Sequence, residues 1–267
     1  MFRLDKFLVV RDYFPSRGKA RDAILQKTVQ VNGTIAEKPA KEIDENSTIE
    51  IINVFNRYVS RGGLKLEKAI QDFALDLSGK KVLDIGASTG GFSDCALQHG
   101  AQRCYAVDVG KEQLHPSLKE NSHIISMEEK DFRDLTPKDV HFEQFDFIVA
   151  DVSFISLTCL LPYFSPFLAE NGQLVLLIKP QFEAGASFLN KSGIVTDEKA
   201  YKIAIQQVIA EALHQGFYLH NLTISTLFEL HKNVEFLALF SKTETRFKLN
   251  FTSLLSELKT IKKELKG

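Results

Sequence analysis

The stretch V-L-D-I-G-A-S-T-G-G-F, Val82–Phe92, decides the fold class. An apolar strand ends in an acid and passes at once into a glycine-rich turn. That is how a doubly wound α/β domain receives a nucleotide-like ligand at the carboxyl edge of its first strand. The glycines are Gly86, Gly90 and Gly91, with Ala87, Ser88 and Thr89 between them. This is not the G-x-G-x-x-G spacing that packs a pyrophosphate onto a helix N-terminus. A wider acidic loop, closed by Phe92, suits a cofactor with an amino-acid end and a cationic centre, of which S-adenosylmethionine is the common one. Taken alone, such a loop is also an ordinary strand-to-helix turn, so the rest of the chain must carry the reading further.

At 267 residues, 44% hydrophobic and 25% charged, the chain has room for one large or two modest domains with a good core. Its three cysteines, Cys95, Cys104 and Cys159, have neither C-x-x-C nor metal-ligand spacing. Reduced thiols, a cytoplasmic location and no bound metal are expected. The N-terminus has no signal-peptide pattern, and the longest apolar runs, Leu174–Ile178 and Phe236–Phe240, are five residues each, too short for a bilayer. The net charge of −1 hides a pattern: residues 1–33 carry +4, residues 34–53 carry −3, and the tail from Lys242 carries +4. Basic ends suit a polyanion such as RNA, although modest charge clusters are commonly solvated helix faces.

The first sixty residues read as a small α/β module. Its helices are expected at Arg3–Val10 and from the N-cap Ser16 to Lys27, its strands at Thr28–Val31 and Thr48–Val54, with a tight turn at Asn32-Gly33. The candidate RNA contacts are Arg3, Lys6, Arg11, Arg17, Lys19 and Arg21. After a helix over Leu64–Phe73, strands and helices alternate, the sign of a mostly parallel sheet. Strands are expected at Val82–Ile85, Arg103–Val107, Ser122–Ser126, Phe145–Asp151, Gln173–Lys179, Phe217–Ile224 and Asn233–Phe240. Helices are expected at Gly91–Gln98, Ser156–Leu168, Asp197–His214 and Phe251–Leu265. The last two strands are consecutive and predict an antiparallel hairpin at one sheet edge.

Four acids fall at the carboxyl ends of successive strands, where a doubly wound sheet opens its crevice: Asp84, Asp108, Asp131 and Asp151. Asp84 is placed for a cofactor amino group. Asp108, 24 residues on, is near the spacing at which an acid meets ribose hydroxyls, and Asp131 could accept from an adenine amine. Lys179 ends the apolar run L-V-L-L-I and must point into the crevice or be paired. Glu235 interrupts another apolar strand, and Lys65 sits in S-R-G-G-L-K-L.

In this order Lys65, Asp151, Lys179 and Glu235 resemble the Lys-Asp-Lys-Glu tetrad of the FtsJ-like ribose 2′-O-methyltransferases. The whole chain is similar to the TlyA family within that group, whose members often carry a hemolysin label. The shared elements are Y-V-S-R-G-G-L-K-L, V-L-D-I-G-A-S-T-G-G-F-S-D, A-V-D-V-G, V-A-D-V-S-F-I-S and L-I-K-P-Q-F-E, while S-G-I-V-T-D departs slightly from the family's G-G-x-V-x-D. S-R-G-K-A and V-N-G, within residues 3–53, resemble an S4-type RNA-binding module. The resemblance implies an S4-like domain over residues 1–55, a linker over 56–63 and a seven-stranded Rossmann-like methyltransferase domain over 64–267. It implies S-adenosylmethionine as cofactor and cytidine ribose in ribosomal RNA as acceptor. Two alternative functions are a membrane-active hemolysin and a non-catalytic RNA-binding ribosome-assembly factor.

Overall fold

In the computed structural model, residues 2–11, 13–14, 17–25, 28–51, 57–225 and 232–264 are described. The chain divides into two units, Met1–Arg57 and Tyr58–Gly267.

The first unit packs α1 (Leu4–Val10) and α2 (Arg17–Leu25) with short strands. Strand β1 (Phe2–Arg3) pairs with β4 (Glu42–Ile43), and β2 (Val29–Val31) lies between β3 (Thr34–Ile35) and β5 (Ile49–Ile51). The β2–β3 hairpin turns on Asn32 and Gly33, both at positive φ, 53° and 76°, which is the type I′ geometry that Asn-Gly favours. Leu4, Leu8, Ala20, Ile24 and Val29 form its core. Inside that core Asp5 is fully buried and held by Arg3 and Arg17. The hydrogen bonds from Arg3 draw its carboxyl down to about 2, against burial and with help from Arg17. The expected Ser16 cap, Lys27, and the ends of the strand and linker within residues 52–56 lie outside the described residues.

The second unit is built on a seven-stranded sheet. Its strands are β6 (Lys81–Ile85), β7 (Arg103–Val107), β8 (Ile124–Met127), β9 (Phe145–Ala150), β10 (Leu168–Ile178), β11 (Tyr218–Ile224) and β12 (Phe236–Ser241). They lie in the order β11-β12-β10-β9-β6-β7-β8. Strand β12 is antiparallel to both its neighbours and the other pairings are parallel. The final two strands do pair as an antiparallel hairpin, but β12 enters the sheet between β10 and β11. Both faces are covered, so the central strands are apolar on both sides. Leu83, Ile85, Ile148 and Leu176 pack into one core with α7 (Glu198–His214), while Val82, Val149, Val175 and Leu237 pack into another with α3 (Gly62–Asp72) and α4 (Gly91–Gln98). The remaining helices are α5 (Pro116–Lys119), α6 (Pro180–Glu183) and α8 (Phe251–Glu264).

One expected helix does not form. Ser156–Leu168 folds instead as two 3₁₀ turns, Leu157–Cys159 and Leu161–Tyr163, and Leu168 already begins β10. Pro162 and Pro166 each remove a backbone donor, which a continuous α-helix across this stretch cannot tolerate. The apolar spacing belongs to residues buried under the sheet, not to a helical face: Leu157, Leu160, Leu161 and Phe164 are all buried.

Candidate active site

The chain leaves β6 toward β7 and β8 on one side and returns to β9 on the other, so the strand order reverses between β6 and β9 while the strands stay parallel. Ligands of doubly wound sheets bind at the carboxyl ends beside that reversal, and the Val82–Phe92 loop lies there. Gly90, at φ 90°, precedes α4, and a side chain on it would strike Leu118 at 2.3 Å. A Cβ on Gly91 would come within 2.2 Å of Ser60 Oγ. These glycines let α3, α4 and the 110–118 segment close around the loop. Thr89 supports that closure, its carbonyl accepting from the His115 N–H at 3.2 Å.

Two adjoining clefts open at these strand ends. The smaller, about 300 Å³, is lined by Gly86, Ser88, Asp108, Val109, Asp131 and Phe132. The larger, about 480 Å³, holds Lys65, Asp151, Lys179 and Glu235 together with Thr89, Gly91 and Phe92. Gly86, Ser88, Asp151 and Ser153 border both. All four acids expected at strand ends lie at the clefts, but their attachments differ. Asp84 is fully buried; its Oδ2 accepts from Ser93 N at 2.9 Å and from Ser93 Oγ at 2.7 Å, which ties β6 to the first turn of α4. Its Oδ1 is buried without a hydrogen-bond partner. Burial raises the carboxyl to about 7, opposed by the Ser93 bonds and reinforced by Asp151. Asp108 accepts from Ser88 N and Gly110 N, each at 2.7 Å. Asp131 is engaged by its neighbour Arg133 at 2.6 Å, which lowers its pKa.

The tetrad forms a continuous chain of alternating charge. Lys179 Nζ lies 2.7 Å from Asp151 Oδ1; Lys65 Nζ lies 3.0 Å from Asp151 Oδ2 and 2.9 Å from Glu235 Oε2. The four residues come from the turn of α3 and the ends of β9 and β10 and the approach to β12, so 170 residues of sequence separate the outer two. Burial opposes charge on Lys65, but Asp151 and Glu235 outweigh it and raise its pKa. Burial likewise works against the Asp151 carboxylate, and the two lysines outweigh it, lowering its pKa. Lys179 is 7% exposed and also donates to Ser153 Oγ at 2.8 Å.

Sequence reasoning missed Ser153 and Val109. Ser153 stands two residues beyond Asp151, a spacing that could have been noticed. Val109 follows Asp108 and is 70% exposed at the edge of the smaller cleft. Of the expected RNA contacts, Lys6 and Arg21 are exposed, Arg3 and Arg17 hold Asp5, and Arg11 pairs with Glu45 at 3.2 Å. The Lys19 side chain lies outside the described residues. Among the described residues no helix is long and apolar enough to cross a membrane, and no group of three His, Cys, Asp or Glu could hold a metal ion.

Comparison with known proteins gives two family matches: FtsJ-like methyltransferase over residues 58–242 and S4 domain over residues 2–49. YqxC of Bacillus subtilis is 41% identical over 235 residues, covering 88% of this chain and 84% of that protein. The 16S/23S rRNA (cytidine-2′-O)-methyltransferase TlyA of Mycobacterium tuberculosis is 34% identical over 244 residues, covering 91% and 90%. A solved protein from Streptococcus thermophilus bearing a hemolysin label is 37% identical with a TM-score of 0.78, covering 100% of this chain and 98% of that one.

Proposed function

The chain belongs to the FtsJ-like methyltransferase family with an N-terminal S4 domain, and on that premise we propose that it methylates the ribose 2′-hydroxyl of cytidine in ribosomal RNA. The observation that carries this reading is the Lys179–Asp151–Lys65–Glu235 chain in the cleft beside the glycine loop. A ribose hydroxyl is a poor nucleophile that must shed a proton as it attacks, and a site for it must position the oxygen and offset its developing charge. Lys179 does both. It lies 2.7 Å from Asp151 Oδ1, donates to Ser153 Oγ at 2.8 Å and stands on the cleft wall. Lys65, locked between two carboxylates, fixes Asp151, and Asp151 fixes Lys179. The S4 domain supplies RNA affinity through phosphate contacts from residues such as Lys6, Arg11 and Arg21, and a ribosomal substrate is in keeping with a cytoplasmic location.

The residues fit S-adenosylmethionine on observations independent of the family. The orphaned Asp84 Oδ1 is an acceptor awaiting a donor at the cleft floor, and a buried polar atom left unpaired costs about 1–3 kcal/mol. Asp108 is anchored by two backbone N–H groups, which leaves its outer lone pairs for a ribose diol. Exposed Val109 and buried Phe132 give the smaller cleft the apolar walls that a purine needs. When bound, this cofactor supplies an electrophilic methyl group. Asp84 would hold its amino end, Asp108 its ribose, and Asp131 with Val109 and Phe132 its base; Gly86 and Ser88 border that path.

Asp84 makes cofactor binding depend on pH. Its carboxyl titrates near 7, and only the ionised form pairs with an ammonium. Affinity measured by calorimetry should therefore be about tenfold weaker at pH 6 than at pH 7.5, and Asp84→Asn should be weak at both. An affinity independent of pH in the wild type would remove Asp84 from the amino-group site. The reaction itself is tested by mass spectrometry of ribosomal RNA from cells with and without the protein. One added CH₂ on a cytidine ribose is expected, and RNA identical in both would defeat the proposal.

A further inference from the structure

The segments that follow Asp151 and Lys179 are joined by more than the ion pair between them. Glu183 ends α6, immediately after Lys179, and is 9% exposed. Its Oε1 accepts from Leu157 N at 2.8 Å and its Oε2 accepts from the Ser156 hydroxyl. Ser156 Oγ in turn accepts from Thr158 N at 3.1 Å, capping the first 3₁₀ turn after the Asp151 loop. Between these bonds and the Lys179–Asp151 pair, the Phe154 and Phe182 rings meet at 5.4 Å. The two segments are thus stitched by three successive rungs, and Glu183 forms the one set back from the reacting groups.

A buried carboxylate whose partners are neutral is costly to keep, and a well-packed apolar residue would stabilise the fold at least as well. Burial does raise the Glu183 pKa, with the Ser156 and Leu157 bonds opposing. What the carboxylate provides is direction, because two acceptor oxygens on one planar group fix two donors of the facing segment at once. The facing segment needs fixing. Phe154 has a φ of 66° and is 91% exposed, and a bulky residue keeps such a backbone only when its surroundings hold it there.

We propose that Glu183 is a positioning residue, which holds the Asp151–Ser153–Phe154 segment in register with Lys179 so that both meet the acceptor at a fixed spacing. The inference rests on the methyl-transfer reading above. It deepens that reading by assigning the acidic end of the P-Q-F-E sequence a task that geometry, not charge, performs.

Geometry and charge separate in the test. Glu183→Ala removes both acceptors; kcat for methyl transfer to ribosomal RNA should fall about 10²-fold, the effect of a small misplacement at a reacting centre. The KM for RNA and the cofactor dissociation constant should stay within about twofold, because Glu183 itself lines neither cleft. Glu183→Gln keeps the length and can still bond Leu157 N–H and Ser156 Oγ, so it should recover most of the lost kcat. Where the alanine variant does not fold, Glu183→Asp, one methylene too short to reach, takes its place beside Glu183→Gln. The proposal is overturned if the shortened variant keeps wild-type kcat, if Glu183→Gln is as impaired as it, or if cofactor binding falls in parallel with kcat. A wild-type enzyme that methylates no ribosomal RNA would instead overturn the function itself, an outcome read before any variant is compared.

Discussion

Lys179→Ala should abolish methyl transfer while leaving S-adenosylmethionine bound. The expected loss in kcat is about 10²–10⁴-fold, the range for a group that manages a proton or a developing charge in the transition state. Cofactor affinity should change less than about twofold, since Lys179 is held by Asp151 and Ser153 and not by the residues assigned to the cofactor, Asp84, Asp108 and Val109. The fold should also survive. Removing one member of a buried ion pair normally strands the other at a cost of about 3–5 kcal/mol, but here Asp151 keeps Lys65 at 3.0 Å. Asp151→Ala is the contrasting case: it takes the carboxylate from Lys179, leaving it Ser153, and leaves Lys65 with Glu235 alone, so loss of activity there would mix chemistry with stability. The wild-type rate between about pH 7 and 9 distinguishes the two ways Lys179 could act, and a flat profile is the result expected of a cation that offsets the alkoxide. The flanking groups keep their charge across that window: the Lys65 pKa is raised, so its proton is lost only above the ordinary lysine range, and the Asp151 pKa is lowered, so it protonates only below the ordinary carboxyl range. A rate rising about tenfold per pH unit would make the free amine of Lys179 the base, and a Lys179→Ala enzyme with wild-type kcat would take Lys179 out of the reaction.

The difference between what could and could not be read beforehand has physical causes. Strands β6, β7 and β9 are central and buried on both faces, so their apolar runs end where the strands end, and their terminal acids mark the crevice directly. The Asn32-Gly33 turn was legible because its two positive φ values admit few other residues. Lys179 and Glu235 were legible as residues out of place, a lysine ending an apolar run and a glutamate interrupting another, whereas Lys65 entered only through the family resemblance; the structure links the four by contacts of 3.0 Å or less. Residues 156–168 were misjudged because helical spacing of leucines also arises when successive tight turns pack against a sheet; the two prolines, not the leucines, held the decisive information. Neither the Asp84–Ser93 bond nor the Glu183 clamp could be foreseen. An acid at a strand end looks alike whether it faces a ligand or caps a helix, and Asp84 does the second with one oxygen while leaving the other free. Ser156 and Glu183 lie 27 residues apart, and only the pairing of β9 with β10 brings their segments side by side.

Removing residues 1–55 should leave a folded protein that binds S-adenosylmethionine normally and fails to methylate ribosomal RNA. Folding is expected because the two units have separate cores: one cluster is built from residues between Leu4 and Ile51, and the clusters around the sheet begin at Tyr58 and Val59. The cut spares Tyr58, which is 4% exposed and packs so closely on Gly63 that a Cβ there would lie 2.3 Å from its Cγ. It also spares Ser60 and Arg61, so every residue lining the two clefts is retained. What disappears is the S4 domain with its basic residues. Phosphate contacts supply most sequence-independent affinity for RNA, and each one lost weakens binding and flattens its salt dependence. The truncated enzyme should therefore show cofactor affinity within about twofold of the full chain, kcat/KM on ribosomal RNA lower by at least about a hundredfold, and a shallower dependence of RNA binding on salt. Lys6, Arg11 and Arg21 should account for part of that difference when reversed in charge together. Arg3 and Arg17 are less informative targets, because reversing them would also strip the buried Asp5 of its cations. Normal methylation by the truncated chain would mean that the methyltransferase unit finds its RNA unaided. The basic surface of the tail from Lys242 would then be the place to look for the missing contacts, and the S4 domain would need another task.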